Sequence, residues 1–253
     1  MVKIKNYAKF IDKIVELRQT QTFVIDGHTY ADRNLERIDK PVDRPRSIDV
    51  SGLDSICKLI RQEKGCYKSV PLMVEVDGYN HVKVYTSYMG DFRRDYLYEA
   101  KADVPGFREG WRGHEEAIIQ LMSLFVPNEG SKYMLDLLSK MTVENGVTTK
   151  DNGVSQIVEA KQGVALKEMV PVKPRVSLIP FRTFLEVPQP ESDFLLRVDE
   201  NGRIGLFEAD GGVWKMEARR NVVNYFNEAL KDMIESGVLE APTPGAAIML
   251  HIT

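Results

Sequence analysis

The sequence predicts an α+β fold with two mainly antiparallel β-meanders and packed amphipathic helices. Apolar residues recur at steps of three and four in five separate segments, which is the spacing of one buried helix face. Elsewhere apolar and polar residues alternate in short runs joined by Asp-Gly or Asn-Gly turns. Short turns join antiparallel strands, so we expect meanders and not a parallel sheet.

The N-terminal region begins with a helix and a hairpin. Ile4, Tyr7, Ile11 and Ile14 fall on one helix face, and this stripe must pack on the core or on a partner. Asp26-Gly27 between β-forming residues predicts a two-residue hairpin turn, because both residues tolerate positive φ.

A second helix is predicted to run from a capping Ser51 to about Glu63, with Asp54 placed to complete a capping box. Cys57 lies on its apolar stripe, so we interpret this thiol as a small core residue and not as a nucleophile. The charged segment before this helix is expected to be a surface connection.

The first meander is predicted from the alternating runs Leu72–Val76, His81–Thr86 and Tyr96–Ala100. Two helices are expected to follow it. One carries the apolar residues from Trp111 to Phe125 on one face, and the other starts at Ser131.

The second meander is predicted beyond Gly146, where short β-forming runs are separated by glycine turns. Five prolines between 171 and 190 indicate edge strands or bent pieces, because proline cannot donate to a ladder. A hairpin is expected across residues 194–209, then one helix from Trp214 to Ser236 ended by Gly237. The apolar tail after residue 245 is expected to complete a sheet.

The change of pattern near residues 143–146 predicts two regions. We place an N-terminal α+β region at 1–144 and a C-terminal β-meander plus long helix at 145–253, with one continuous domain as the alternative.

Charge and composition exclude several classes of protein. The 34 basic and 37 acidic residues give a formal charge of −3, so the chain has no global cationic field for nucleic acid and too little excess acid to imitate DNA. Two cysteines do not suggest a disulfide scaffold or zinc framework. No apolar run is long enough to span a bilayer, so we expect a cytoplasmic protein without membrane contact.

Glu208 and Asp210 precede a Gly-Gly turn and a predicted helix start. Two residues apart on a strand, their carboxylates would share a face and could hold a divalent cation with a third ligand. We favour a structural interpretation, in which Glu208 faces solvent and Asp210 caps the helix.

Glu159-Ala-Lys161 on a predicted strand matches the second half of a metal-nuclease motif, where the carboxylate binds the ion and the lysine polarises water. Asp136 or Asp151 would supply the missing ligand, and the metal would be Mg²⁺ or Mn²⁺. The alternative interpretation is a solvated strand end, which needs no metal or other cofactor.

Two arginine pairs lie among aromatic residues and could stack bases or clamp phosphates. We favour rings in the core with the arginines reaching outward. The members are Arg93, Arg94, Arg219, Arg220, Tyr88, Phe92, Tyr96, Tyr98 and Tyr225. The four histidines are dispersed, and His114 is expected to be a hydrogen-bonded core residue.

The segments Leu178-Ile-Pro-Phe-Arg-Thr-Phe-Leu-Glu-Val-Pro-Gln-Pro-Glu-Ser-Asp-Phe194 and Leu206-Phe-Glu-Ala-Asp-Gly-Gly-Val-Trp214 resemble the YfdQ-like family of uncharacterised phage and prophage proteins. The resemblance implies a phage setting and no established activity. It favours roles that phages need, such as handling DNA or blocking a host defence.

These observations lead to one functional expectation. We expect a non-catalytic, homo-oligomeric phage or prophage accessory protein that binds a host defence protein or a nucleotide signal, with a nucleic-acid-binding protein or metal-dependent nuclease as alternatives. The expected binding residues are Arg182, Glu208, Asp210 and Trp214. One corner would be locked by Phe181, Phe184, Phe207 and Trp214, with Arg182 paired to Glu208 or Asp210 as a bidentate ion pair.

Overall fold

The structure is a computed structural model of the 253-residue chain, and it describes residues 3–18, 21–32, 44–66, 70–90, 92–141, 149–151, 156–162 and 166–244. These residues form two compact units, Met1–Arg44 and Pro45–Thr253. The predicted boundary between residues 144 and 145 lies in 142–148, outside the described residues.

The first unit contains the predicted helix and hairpin. Helix α1 spans Lys3–Arg18, and strands β1 (Thr22–Ile25) and β2 (His28–Ala31) pair in antiparallel register. Asp26 and Gly27 have φ of 50° and 77°, as the predicted two-residue turn requires. The apolar stripe of α1 is exposed at Tyr7, Phe10, Ile11, Ile14 and Val15.

The second unit contains the remaining strands and helices. Its strands are β3 (Ile48–Val50), β4 (Leu72–Val76), β5 (His81–Thr86), β6 (Tyr96–Lys101), β7 (Gly110–Arg112), β8 (Phe125–Val126), β9 (Thr149–Asp151), β10 (Gln156–Gln162), β11 (Leu166–Val172), β12 (Arg175–Pro180), β13 (Ser192–Val198), β14 (Ile204–Glu208) and β15 (Leu239–Pro244). Its helices are α2 (Leu53–Glu63), α3 (His114–Ser123), α4 (Glu129–Lys140), α5 (Trp214–Ala229) and α6 (Lys231–Glu235).

The first five-stranded sheet has the order β15-β4-β5-β6-β3. Its centre is the predicted antiparallel meander of β4, β5 and β6, which is confirmed. Both outer strands are parallel to their neighbours: β15 pairs with β4, and β3 pairs with β6. The closing strands therefore come from segments remote from the meander in sequence.

The second five-stranded sheet has the order β7-β14-β13-β12-β8. The predicted β13–β14 hairpin is confirmed. Strand β12 pairs with β13 through Leu178 and with β8 at Ile179 and Pro180, so each of its sides is paired over only part of its length. The predicted helix from Trp111 to Phe125 is wrong at both ends, because Trp111 lies in β7 and Phe125 in β8.

Strands β9, β10 and β11 form a three-stranded antiparallel sheet, which confirms the second predicted meander. The α+β class is therefore correct, and the described sheets of the second unit are mainly antiparallel.

Two apolar cores hold the second unit together. One lies between the first five-stranded sheet and α2, α5 and α6, and it includes Phe184 and Val187 from the segment after β12. The other packs α3 and α4 on the second sheet, with Val158 and Val172 from the three-stranded sheet. Each core combines residues from before position 142 with residues from after position 155.

The last predicted helix is interrupted. Leu230, at φ −119°, separates α5 from α6. The prediction of a single helix over 214–236 is therefore wrong, because two helices cover this range. Gly237 ends α6 at φ 71°, and Val238 N–H donates to the Met233 carbonyl, as predicted for a glycine stop. The predicted sheet-completing tail lies outside the described residues.

Among the residues that the structure describes, no helix is long and apolar enough to cross a membrane.

Candidate functional site

Three of the four predicted binding residues meet at one corner of the second unit. Glu208 is the last residue of β14, Trp214 is the first residue of α5, and Arg182 lies in the segment that follows β12. The Gln189 side chain folds this segment back on itself, because its Oε1 accepts from the backbone N–H groups of Arg182 and Thr183 at 2.9 and 3.1 Å. Its Nε2 donates to the Phe184 carbonyl at 2.9 Å.

Arg182 is a buried cation on this segment, with 7% of its surface exposed. Its Nη1 donates to Ser192 Oγ at 2.8 Å, and its Nη2 lies 2.8 Å from Glu208 Oε1. The Nη2 contact is an ion pair without hydrogen-bond alignment, so this buried nitrogen has no hydrogen-bond acceptor among the residues that the structure describes. The guanidinium carbon lies 4.2 Å from the centroid of the Trp214 ring.

Burial lowers the pKa of Arg182, and the charges of Glu208 and Asp210 oppose that effect. An arginine starts from so high a pKa that it stays charged in proteins. The site therefore holds a permanent buried cation that needs its acidic neighbours.

Glu208 connects the arginine to the indole ring. Its Oε2 accepts from Trp214 Nε1 at 3.3 Å, while its Oε1 pairs with Arg182. The predicted Arg182–Glu208 pair is therefore present, but it is not bidentate, because the second oxygen faces the indole. The Glu208 side chain remains 29% exposed, so the predicted solvent-facing acid is half-buried instead.

Asp210 does not cap α5, and that prediction is wrong. Its Oδ1 accepts from the Gly212 backbone N–H at 2.9 Å, within a turn where Gly211 and Gly212 have φ of 65° and 80°. The helix begins only after Val213, which provides no side-chain cap. Two consecutive left-handed glycines separate the acid from the first helical turn, so its side chain closes the turn and acts on Arg182 through its charge.

An open cavity of about 330 Å³ lies beside the Arg182–Glu208 pair. Arg182, Glu208, Trp214 and Lys215 line it together with the rings of Tyr79, Phe107 and Phe181. Tyr79 packs edge-to-face on Trp214 with ring centroids 4.8 Å apart. Lys215 is exposed and forms no ion pair with the described residues.

The sequence interpretation missed Tyr79, Ser192, Gln189 and Lys215. Tyr79 lies in the turn between β4 and β5, about a hundred residues before Arg182, and no local pattern links the two. For Lys215, the one feature of the sequence that could have indicated a place in the site is its position next to Trp214.

The predicted nuclease residues stay a hypothesis. Glu159 and Lys161 lie on β10, opposite Met169 and Lys167 of β11, while Asp151 lies on β9. The structure gives their backbone positions only. Asp136 lies on α4, where its Oδ2 pairs with Lys140 Nζ at 2.6 Å. Across the described residues, no group of three His, Cys, Asp or Glu side chains is arranged to hold a metal ion.

The aromatic residues near the arginine pairs divide into two groups. Tyr98 is buried in the core, and Tyr225 donates to Asp54 Oδ1 at 2.9 Å. Tyr88, Phe92 and Tyr96 are exposed, so the prediction that these rings lie in the core is wrong for them. Tyr88 and Phe92 lie in the β5–β6 connection, and Tyr96 is the first residue of β6.

Cys57 has the predicted environment, whereas His114 makes the predicted kind of hydrogen bond but is not a fully buried core residue. Cys57 is buried in the first core, and burial raises the pKa of its thiol to about 11. The half-buried His114 ring donates from Nε2 to the Leu138 carbonyl at 2.8 Å.

The chain was compared with family models, curated proteins and solved structures, and nothing matches it.

Proposed function

We propose that the protein acts by binding and not by turnover, and that the cavity beside Arg182 holds a nucleotide. The observation that carries this proposal is the position of Glu208. Its carboxylate is held by a buried arginine and an indole N–H, yet it is 29% exposed and lines an aromatic cavity. A fixed, half-buried acceptor among rings suits a nucleobase edge.

The cavity has the parts that a nucleotide requires. The rings of Tyr79, Phe107 and Phe181 offer apolar and stacking surface for a base. Glu208 retains lone pairs that accept from the amino or imino N–H groups of a base. Lys215 supplies an exposed ammonium for a phosphate group. A volume of about 330 Å³ falls at the lower end of the roughly 300–1,000 Å³ range of small-molecule sites, which favours a ligand of modest size.

The resemblance to the phage and prophage family suggests which nucleotide is bound, namely a signal of a host defence system. A protein that binds a nucleotide without consuming it would remove a host defence signal from solution. It would act in the cytoplasm of the bacterial host. A host defence protein, seated over the same cavity, is the alternative partner.

Tryptophan fluorescence tests the proposal directly. The chain has two tryptophans, so Trp111→Phe leaves Trp214 as the only indole, and Trp214 lines the cavity. We expect mono- and cyclic nucleotides to change its emission in a saturable manner at micromolar to millimolar concentration. The absence of a saturable change with any common nucleotide would remove the nucleotide proposal.

Two variants locate the binding. Glu208→Gln replaces the acceptor oxygen by an amide, and Lys215→Ala removes the ammonium. Because hydrogen bonds to charged groups contribute about 1.5–3 kcal/mol, we expect each variant to weaken binding roughly 10- to 150-fold. Lys231→Ala is the matched control, because Lys231 is an exposed lysine outside the cavity lining. Equal weakening by all three would place the ligand elsewhere.

The nuclease alternative is tested separately. Plasmid DNA and labelled oligonucleotides are incubated with the protein and Mg²⁺ or Mn²⁺, and Glu159→Ala serves as the comparison. We expect no nicking by either protein. Metal-dependent cleavage that is lost in the Glu159 variant would replace the binding proposal with an enzyme.

A further inference from the structure

We propose, resting on the proposed function, that the nucleotide held beside Arg182 carries guanine, because Glu208 offers its base two adjacent hydrogen-bond acceptors. The residues that select the base are Glu208, at the end of β14, and Asn80, in the turn between β4 and β5. Both line the cavity of about 330 Å³.

The two carboxylate oxygens of Glu208 are held by different partners. Oε1 lies 2.8 Å from Arg182 Nη2, and Oε2 accepts from Trp214 Nε1 at 3.3 Å. The backbone of Glu208 is anchored as well, because its N–H donates to Glu109 Oε2 at 3.1 Å. Rotation of the carboxylate would break one of these side-chain contacts. The group is therefore oriented before a ligand arrives, which lowers the entropic cost of binding.

Glu208 keeps a free acceptor position on each oxygen. A carboxylate has about four lone-pair positions, two on each oxygen, and it has no donor. Arg182 and Trp214 each engage a different oxygen. The side chain is 29% exposed and lines the cavity, so a ligand can reach it. The edge of a base that meets this group must present two donors side by side.

Guanine is the common base whose Watson–Crick edge has two adjacent donors, the N1–H and the N2 amino group. Adenine and cytosine present one amino group beside a ring nitrogen that accepts. Uracil presents a single N3–H between two carbonyl oxygens. An acceptor placed against a carboxylate is repelled and leaves both groups without a partner. Glu208 therefore favours guanine and also opposes the other bases.

Asn80 complements the remaining group on the same edge of guanine. The O6 carbonyl lies next to N1–H and requires a donor, and the asparagine amide has two N–H donors. The Asn80 side chain has no hydrogen-bond partner among the residues that the structure describes. Its neighbour Tyr79 packs on Trp214 with ring centroids 4.8 Å apart, which holds this turn against the cavity wall.

The charges around the cavity orient the nucleotide. Burial lowers the pKa of Arg182, and the charges of three neighbouring acids oppose that effect. These acids are Glu208, Asp210 and Glu109. Three acids against one arginine make this end of the cavity unfavourable for a phosphate. The base edge therefore points to Glu208, and the phosphate lies toward the exposed ammonium of Lys215.

Isothermal titration calorimetry of the unaltered protein with GMP, IMP, AMP, CMP and UMP tests the assignment. IMP keeps the N1–H and O6 of guanine but lacks the N2 amino group. Loss of one hydrogen bond to a charged group weakens binding roughly 10- to 150-fold, so we expect this increase in Kd from GMP to IMP. AMP, CMP and UMP should bind more weakly than IMP, because each sets an acceptor against the carboxylate.

Variants locate the selection in Glu208. Glu208→Gln replaces one acceptor by a donor, so the ratio of the Kd of AMP to that of GMP should fall toward one. Glu217→Gln is the matched control, because Glu217 is an exposed acid outside the cavity lining and should leave this ratio unchanged. Asn80→Ala should weaken GMP by roughly 2- to 12-fold, the effect of one neutral hydrogen bond. Thermal melting reports whether each variant is folded, and the ligand series on the unaltered protein needs no variant.

The results separate the base assignment from the proposed function. If none of the five nucleotides binds, the proposed function fails and the assignment fails with it. If AMP, CMP or UMP binds as tightly as GMP, the cavity holds a nucleotide but Glu208 does not select guanine. Equal Kd values for GMP and IMP would likewise contradict the contact with two acceptors.

Discussion

The Glu186 carboxylate accepts a hydrogen bond at 2.8 Å from the backbone N–H of Leu53, the first residue of α2. A residue 133 positions away thus provides the cap that the sequence assigned to Ser51. Gly52, the residue before the helix, makes no side-chain cap, and a Cβ added to it would lie 2.6 Å from Glu186 Oε1. The cap and the glycine therefore depend on each other.

This dependence predicts a coupled pair of substitutions. We expect Glu186→Ala to lower the free energy of unfolding by about 1 kcal/mol, as for other lost N-caps. Gly52→Ala should cost a similar amount, because the new methyl group displaces the carboxylate. In the double variant, Gly52→Ala should add only a few tenths of a kcal/mol, since the cap is already absent. Urea denaturation measures all three, and additive losses would contradict the mechanism.

The Arg182–Glu208 pair gives a second prediction. Removing one partner of a fully buried ion pair costs about 3–5 kcal/mol. Because Glu208 is partly exposed, we expect a smaller loss, about 2 kcal/mol, for Glu208→Gln. Arg182→Met in addition removes the buried charge, so the double variant should be more stable than the sum of the single losses predicts. Chemical denaturation of the four proteins checks this, and a double variant at the additive value would contradict it.

Replacing Gly130 in α4 by alanine is expected to destabilise the protein, which is the opposite of the usual effect of this substitution in a helix. Replacing a helical glycine by alanine usually stabilises a helix by up to about 1 kcal/mol. Here a Cβ would lie 2.0 Å from the Ser177 carbonyl oxygen, which belongs to the backbone of β12. We therefore expect Gly130→Ala to destabilise the protein by at least about 1–3 kcal/mol, through overpacking. Gly106→Ala is the control, because open space surrounds that position, and its thermal midpoint should barely change.

The two cysteines should differ in reactivity. Cys66 is exposed, whereas Cys57 is buried and burial raises the pKa of its thiol to about 11 from an ordinary 9.0. At pH 8 we expect a thiol reagent to modify one cysteine in the folded protein and two after denaturation. Rapid modification of both thiols in the native state would show that Cys57 is not protected.

The same thiol predicts alkaline sensitivity. Below about pH 9 Cys57 is protonated in both the folded and the unfolded chain, and its contribution to stability is complete. Between about pH 9 and 11 the unfolded chain loses this proton first, so stability falls as the pH rises. Burial and a hydrogen bond to Asp54 also raise the pKa of Tyr225, which acts in the same direction at higher pH. Cys57→Ala should lessen the loss, measured by denaturation at pH 8 and 10.5.

The exposed stripe of α1 supports the proposal of a homo-oligomer. Tyr7, Phe10 and Ile11 are 69%, 62% and 55% exposed, and an isolated helix of this length is marginally stable in water. We expect the unaltered protein to sediment as an oligomer, and the Ile11→Glu, Ile14→Glu variant to sediment as a monomer, in sedimentation equilibrium. Lys9→Glu alters charge on an exposed position outside this apolar set and should leave the mass unchanged. Monomer mass for the unaltered protein at micromolar concentration would end the proposal.

Local signals predicted much of the fold. The turn at Asp26-Gly27, the two meanders and the glycine stop at Gly237 each depend on neighbours within a few residues. The cap of α2 and the parallel strands β3 and β15 depend on contacts between distant segments, which no local pattern encodes. The helix predicted for Trp111–Phe125 is present as α3 but starts later, because Trp111 joins the edge of a sheet, where tertiary pairing overrides helical spacing.

The sequence likewise predicted only part of the candidate site. Composition around Arg182, Glu208 and Trp214 indicated a shared corner, and the ion pair is present. Which oxygen meets which partner, and the cavity wall contributed by Tyr79, follow from how the β4–β5 turn packs against this corner. The exposure of Phe92 likewise follows from a backbone conformation that residue type alone does not favour.

The pairing of β15 with β4 places the last described strand beside one that precedes it by more than 160 residues. During synthesis the ribosome releases β4, β5 and β6 long before α5 and β15 exist to cover and flank them. Until then α2 is the helix that can cover the apolar face of the first sheet, because α2 precedes β4 in the chain. A fragment that ends before residue 239 lacks β15, so the first core is incomplete in it.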